Sequence, residues 1–412
     1  MYHPPPPLTV SPLVPLVSSC SARKFSTTSS TDEDMDDKFL SDSSGTSVES
    51  SVFVKDQVGD AAAAAAAAAT AAATATEAAA VLHVSPVSTD GFLSSLEHLL
   101  SLRQVDPHTF TNCSELFVPY RGRGLFGGTL AAQATLAALL FTNTEDKKWK
   151  PISLHCHFLY AATPSPALFY KVHSLKDGKN YCTRSVDLYQ DDRLIFRATC
   201  SLQAYELAGS AAKLDGQLSH YRQGPEVGKD IEPPEEMFSQ EEAFFAWSQK
   251  AYKHRHLGYL KTALEDVTAS YAREPCVWRL PLGMFDLEHV SEAEREMVPS
   301  DRTLRYWVKT KEALKDPHVF SWVALAYISD YFFLSTNMRL NMREMFTTKF
   351  SVSLDHTIYF DKEIDVSEWF NYNVKSLKSG ENRTIMTGEM FSRDGELLAS
   401  TYQEGLSVVF TD

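Results

Sequence analysis

Apolar positions along the chain change period in the same order twice. Residues 129–141 (Thr-Leu-Ala-Ala-Gln-Ala-Thr-Leu-Ala-Ala-Leu-Leu-Phe) are apolar on nearly every side, which predicts a buried helix. Four segments that favour period two follow, at 151–160, 167–175, 181–190 and 193–205, and predict strands. A second set of strands is predicted at 350–360, 370–377, 383–392 and 396–409, after a helical segment placed at about 330–338. Lys176-Asp177-Gly178-Lys179 and Arg393-Asp394-Gly395-Glu396 supply turn chemistry.

The two sets are related in sequence. Val172-His173-Ser174-Leu175-Lys176-Asp177-Gly178 lines up with Val374-Lys375-Ser376-Leu377-Lys378-Ser379-Gly380 at an offset of 202. Asp187-Leu188-Tyr189 then faces Glu389-Met390-Phe391, and Thr199 faces Thr401. Ser153-Leu154-His155 matches Ser353-Leu354-Asp355 at offset 200, and Phe126-Gly127-Gly128 falls on Ile328-Ser329-Asp330 at 202. Two copies of one domain follow from this, each a long helix plus an antiparallel meander: an α+β fold with a sheet wrapped around a helix. The expected boundaries are a tail at 1–88, a first domain at 89–206, a helical connector at 207–269 and a second domain at 270–412. Residues 284–299 read as an insertion.

Composition separates the tail from the rest. Residues 1–15 hold six prolines, residues 17–51 are rich in Ser and Thr, and residues 61–80 are Ala with a few Thr and one Glu. Eleven acidic against four basic side chains in the first ninety residues supply about half of the net charge of −14. Such a segment cannot offset the entropy of ordering and is expected to be disordered. The alanine run lacks Leu, Ile and Phe, so no membrane span is expected from it. Arg23 and Lys24 among Ser and Thr faintly resemble a mitochondrial leader, against which the flanking prolines and acids argue. With no Lys/Arg-rich run, nucleic acid is not an expected partner. Six scattered cysteines without a CxxC pair suggest neither a zinc site nor a disulfide framework.

Several motifs lead nowhere. Gly122-Arg123-Gly124-Leu125-Phe126-Gly127 fits GxGxxG, yet strand follows strand after it, without the crossover helices of a dinucleotide-binding unit. Its glycines are better explained by a tight turn into a helix and close backbone approach. No GxSxG is present, so a hydrolase nucleophile elbow is unsupported. His155 and His157 share one strand face with no third ligand evident; no metal and no cofactor are expected.

The second copy carries polar residues where the first does not. Asp330, placed at the start of its helix, reads either as an N-cap or as a carboxylate kept ionised by helix N–H groups and able to activate a water. Ser353 and Gln403 lie on predicted strands, where each alone is ordinarily a satisfied strand polar group. Together the three provide a carboxylate, a hydroxyl and an amide, enough to hold a water without a covalent nucleophile.

Four segments carry a resemblance: Leu125-Phe126-Gly127-Gly128; Ser153-Leu154-His155-Cys156-His157-Phe158; Ala326-Tyr327-Ile328-Ser329-Asp330-Tyr331 with Phe333-Leu334; and Val352-Ser353-Leu354-Asp355-His356, closed by Gln403-Glu404-Gly405. Over residues 92–410 the chain resembles the acyl-CoA thioesterase II family. The resemblance implies a double hotdog, acyl-CoA as substrate, hydrolysis of the thioester, and catalytic roles for Asp330, Ser353 and Gln403. Gly127 and Gly128 are expected to face this site from the first copy, offering backbone N–H groups, and His356 is expected among the substrate-binding residues. It also implies association beyond one pseudo-dimer and a peroxisomal setting, although Val409-Phe410-Thr411-Asp412 is not an SKL-type signal. Family members often continue Ser-Met-Trp-Phe-His after the position of His356, where this chain has Thr357-Ile358-Tyr359-Phe360-Asp361. An acyl-CoA-binding module and an enoyl-CoA hydratase remain as alternatives; the hydratase would want a His beside Asp330, and retention of all three polar residues disfavours the binding module.

Overall fold

The computed structural model describes residues 93–119, 122–205 and 220–410. The expected tail, its alanine run and residues 206–219, the start of the expected connector, lie outside the described residues. Fourteen strands form one sheet: β1 (Leu102–Asp106), β2 (Thr109–Asn112), β3 (Trp149–Phe158), β4 (Phe169–Lys176), β5 (Tyr181–Gln190), β6 (Arg193–Ala204), β7 (Phe238–Ser239), β8 (Cys276–Leu280), β9 (Leu304–Thr310), β10 (Thr348–Ser353), β11 (Asp355–Phe360), β12 (Phe370–Gly380), β13 (Arg383–Ser392) and β14 (Leu397–Val409). Their helices are α1 (Ser95–Leu100), α2 (Gly127–Thr142), α3 (Gln240–Ala251), α4 (Leu260–Arg273), α5 (Glu292–Glu296), α6 (Pro317–Ser329) and α7 (Thr336–Leu340).

The strand order is a palindrome. It runs β1-β2-β4-β5-β6-β3 and then β11-β14-β13-β12-β9-β8, with β7 at the far edge and β10 paired to β14 beside β11. The halves join where β3 and β11 pair antiparallel, and His155 lies opposite Thr357 there. Those two residues are 202 apart, so the sequence repeat and the pairing share one pseudo-twofold axis. Each half presents an inner face to a long helix, α2 in the first and α6 in the second, which is the expected double hotdog.

Both helices are buried all round. The α2 sequence supplies small side chains, Ala131, Ala132, Ala134, Ala137 and Ala138, that let strands and a second helix approach closely. Its one interior amide, Gln133, accepts a hydrogen bond from the Tyr170 hydroxyl at 2.7 Å, as a buried polar group must find a partner. Asp316 caps α6 and Pro317 takes its first turn, where a missing N–H costs nothing. The two helices run antiparallel. Gly128, at the start of α2, lies against the Tyr327 carbonyl near the end of α6, while Leu139 and Leu140 share a pocket with Asp316 and Val319 at the other end.

One expectation is corrected here. The second long helix does not open at Asp330; it closes there, with Asp330 as its C-cap. The strands keep the offset of 202, but eighteen residues (330–347) link helix to strand in the second half against six (143–148) in the first. The structural counterpart of Asp330 is therefore Asn143, the C-cap of α2, and not Gly128. The segment at 350–360 is two strands, broken at Leu354, whose N–H donates to Glu404 O on β14 and whose carbonyl accepts from Phe158 on β3.

Candidate active site

Asp330, Ser353 and Gln403 meet. The Gln403 side-chain amide donates to Asp330 Oδ1 at 3.1 Å and also to Ser353 Oγ. Gln403 is almost wholly buried on β14, opposite Met386. Ser353 ends β10 just before the break at Leu354, and Asp330 keeps part of its surface exposed at the end of α6.

The end of α6 is held from several sides, which fixes Asp330. The Tyr372 hydroxyl donates to Ser329 O at 2.7 Å, satisfying one of the carbonyls that a helix end leaves orphaned. Ser329 Oγ lies 2.8 Å from His356 Nε2. Phe332, at φ +60°, turns the chain sharply away after Asp330, a conformation that costs a non-glycine residue of order 1 kcal/mol.

The first half contributes through α2. No side chain of its own segment caps α2; the Gly128 N–H is instead hydrogen-bonded to the Asp330 carboxylate. A Cβ on Gly127 would sit 2.7 Å from Asp330 Oδ2, and one on Gly128 would sit 2.4 Å from Tyr327 O. Only residues without side chains allow this approach. Gly127 and Gly128 thus lie against Asp330 and Tyr327 across the pseudo-twofold.

The source of the helix N–H groups is another correction: they belong to α2, whereas Asp330's own helix presents its carbonyl end, where an anion is disfavoured. Asp330 is not held ionised as far as expected. Burial pushes its pKa up to about 7, and the hydrogen bonds from Gln403 and Gly128 oppose this only in part. His356, expected against substrate, is fully buried. Burial lowers its imidazole to about 4, so it is neutral, and its Nε2 lies against Ser329 Oγ at the end of α6.

Sequence reasoning passes over Glu274. It lies buried between α4 and β8, accepts a hydrogen bond from the Tyr327 hydroxyl at 2.9 Å, and is pushed by burial to about 7. It lines an aromatic pocket of about 190 Å³ with Phe126 and Tyr331, the neighbours of Gly127 and Asp330. A lone Glu in Arg-Glu-Pro-Cys offers no motif that could have signalled this.

The pseudo-twofold mate of the site lacks the three residues. Met386 opposite Gln403 corresponds to Arg184 opposite Cys200, and Ser353 opposite Gly405 to Pro151 opposite Leu202. Asn143, Pro151 and Cys200 thus stand where the second half has Asp330, Ser353 and Gln403. No carboxylate stands at the position of Asp330, although Glu145, Asp316 and Glu363 line the pocket at that end of the helix pair.

Comparison with known proteins bears on the family and the fold. Residues 287–406 match a family model described as acyl-CoA thioesterase, and residues 118–203 match the acyl-CoA thioesterase N-terminal domain. The peroxisomal acyl-coenzyme A thioester hydrolase 1 of Saccharomyces cerevisiae is 27% identical over 343 residues, which covers 77% of this chain and 95% of that protein. Acyl-CoA thioesterase 2 of Haemophilus influenzae is 25% identical over 316 residues, 76% of this chain and 97% of the relative. Among solved structures, an acyl-CoA thioesterase II from Mycobacterium marinum superposes with a TM-score of 0.54 at 21% identity, covering 77% of this chain and 99% of the other. A hot dog fold protein from Alicyclobacillus acidocaldarius gives 0.51 at 16%, covering 78% and 100%. These structures share the fold.

Proposed function

The chain belongs to the acyl-CoA thioesterase II family, and from that premise we propose how its own residues hydrolyse the thioester of an acyl-CoA. The observation that carries the mechanism is the convergence of Asp330, Ser353 and Gln403 on one amide, at the N-terminus of a helix from the other half. Asp330 in its ionised form takes a proton from a water, and the water oxygen attacks the thioester carbonyl carbon. Ser353 and Gln403 hold the water and Asp330 in register. Negative charge that builds on the carbonyl oxygen is met by the N-terminal end of α2. The C–S bond then breaks, and the thiolate of CoA recovers the proton that Asp330 had taken, leaving a free acid and CoA. No covalent enzyme intermediate forms.

Fatty acyl chains are the proposed substrates, and the two halves at 89–206 and 270–412 are the proposed hotdog units. The test is free-thiol release from a panel of acyl-CoAs, short to long and branched. Asp330→Asn is expected to lower kcat by about 10²- to 10⁴-fold, the range for a positioned general base, with little change in substrate binding. Unchanged turnover in that variant discards the assignment. A peroxisomal setting is proposed from the yeast relative's name; a fluorescently tagged full chain that fails to colocalise with a peroxisomal marker rules it out.

A further inference from the structure

Away from the catalytic residues, the outer face of the second half carries a polar pocket of about 240 Å³. The strands beneath it are β9, β12 and β13, and residues 222–225 pass over it, with Gly224 N–H donating to Gly395 O at 3.0 Å. Arg305, Asn373 and Glu389 lie side by side on the three strands, and Lys375 and Thr387 form the next row.

Two features set this pocket apart from an ordinary charged surface. Asn373 is only 9% exposed, and its Oδ1 has no hydrogen-bond partner among the described residues. Arg305 Nε is likewise buried without one. A buried donor and a buried acceptor left unmade cost stability, so a site that keeps both is shaped for a ligand that satisfies them. The charges agree. Glu389 is engaged by Arg222 at 3.1 Å, and Asp230 accepts the Glu226 N–H at 3.0 Å, while Arg305 and Lys375 form no ion pair among the described residues.

We propose that this pocket binds a phosphate monoester on a hydroxylated carrier. Arg305 and Lys375 take the phosphate oxygens by charge-assisted hydrogen bonds, and a carrier hydroxyl donates to Asn373 Oδ1. The site lies on the opposite sheet face from Gln403, since Asn373 and Lys375 alternate with Tyr372, Val374 and Ser376, of which Tyr372 points to α6. Its occupancy is therefore separable from the thioesterase reading and does not depend on it.

The experiment is calorimetric titration of the purified full chain at fixed ionic strength with inorganic phosphate, glycerol 3-phosphate and adenosine 3′,5′-bisphosphate, against chloride. Saturable binding of a phosphate compound, tighter for the hydroxylated esters than for inorganic phosphate, is the expected result. Lys375→Ala is expected to weaken it by roughly tenfold or more, the scale of one charge-assisted hydrogen bond, with hydrolysis of acyl-CoA unchanged. Arg305→Gln is expected to do the same, and Lys375, half-exposed, serves as the variant that leaves folding intact. Preference for the nucleotide over glycerol 3-phosphate would identify the source as a CoA-like ligand; the reverse would identify a separate small ester. Heats no larger than those of chloride, or binding that persists undiminished in both variants, overturn the proposal.

Discussion

As the proposed base, Asp330 meets two opposed demands: it must lose its proton near neutrality, and burial resists that loss. Burial wins far enough to place its pKa at about 7. Turnover at low substrate is therefore expected to rise with pH through a limb near 7, because only the ionised form accepts the water's proton; a pH–kcat/KM profile flat from 6 to 8 contradicts this. The same shift sets a stability cost. A carboxyl raised from the ordinary 3.8 binds its proton more tightly folded than unfolded, so its contribution to stability falls as pH rises from about 4 to 7 and is constant above. Asp330→Asn removes that penalty. The variant's Tm gain over the parent is expected to be absent below pH 4, to grow between 4 and 7, and to level off thereafter, which thermal denaturation at four or five pH values will read. His356, neutral with its pKa near 4, contributes no limb in the working range. At this scale Asp330, Ser353 and Gln403 are singled out by the family resemblance, since residue type alone leaves each an ordinary polar group; what the structure adds is that the three side chains meet. Glu274 is not singled out, since its pKa and its pocket come from contacts with Tyr327 and Tyr331 that no local pattern records.

The strands were easier to read than the helices. β3, β5 and β13 alternate more and less buried residues clearly enough for period two to find them, whereas β12 is buried along its first half and exposed along its end. β1, β2, β8 and β9 are short and escape that test. The second helix is misplaced by the repeat itself: an offset that holds along the strands carries over to the helix, where the longer link of the second half breaks it. The local signal, Asp316-Pro317 before an apolar run, marks the true start and is the better guide. What the sequence does announce is the closeness of the two helices, through Gly127 and Gly128. Gly127→Ala is expected to leave a folded protein, the first turn of a helix tolerating alanine, while its methyl pushes against Asp330 Oδ2. A fall in kcat of about tenfold or more with Tm within a few degrees is the expected outcome; wild-type turnover would show that the carboxylate has room the geometry denies it.

In the molecule as a whole, a nearly symmetric scaffold carries one asymmetric site. β3 and β11 join the halves with His155 opposite Thr357, and the two helices pack head to tail, so everything present at one end of the pair has a counterpart at the other. The cluster of Asp330, Ser353 and Gln403 has no copy at the mate, where Asn143, Pro151 and Cys200 stand in the matching positions. A non-hydrolysable acyl-CoA analogue competitive with substrate is therefore expected to titrate to one inhibitory site per chain. Two equivalent inhibitory sites would mean that the mate is functional after all.

The division of labour between the halves bears on synthesis. The first half, with Gly127 and Gly128, leaves the ribosome early, Asp330 some two hundred residues later, and Gln403 later still. A nascent chain can complete its first sheet and bury α2 long before any carboxylate arrives to cap that helix. Until β14 has been laid down between β11 and β13, there is no amide to join Asp330 to Ser353. If the proposed site is the reactive one, hydrolysis waits for β14 to take its place between β11 and β13, and a nascent chain that ends before β14 carries the first half of the sheet without that reactivity.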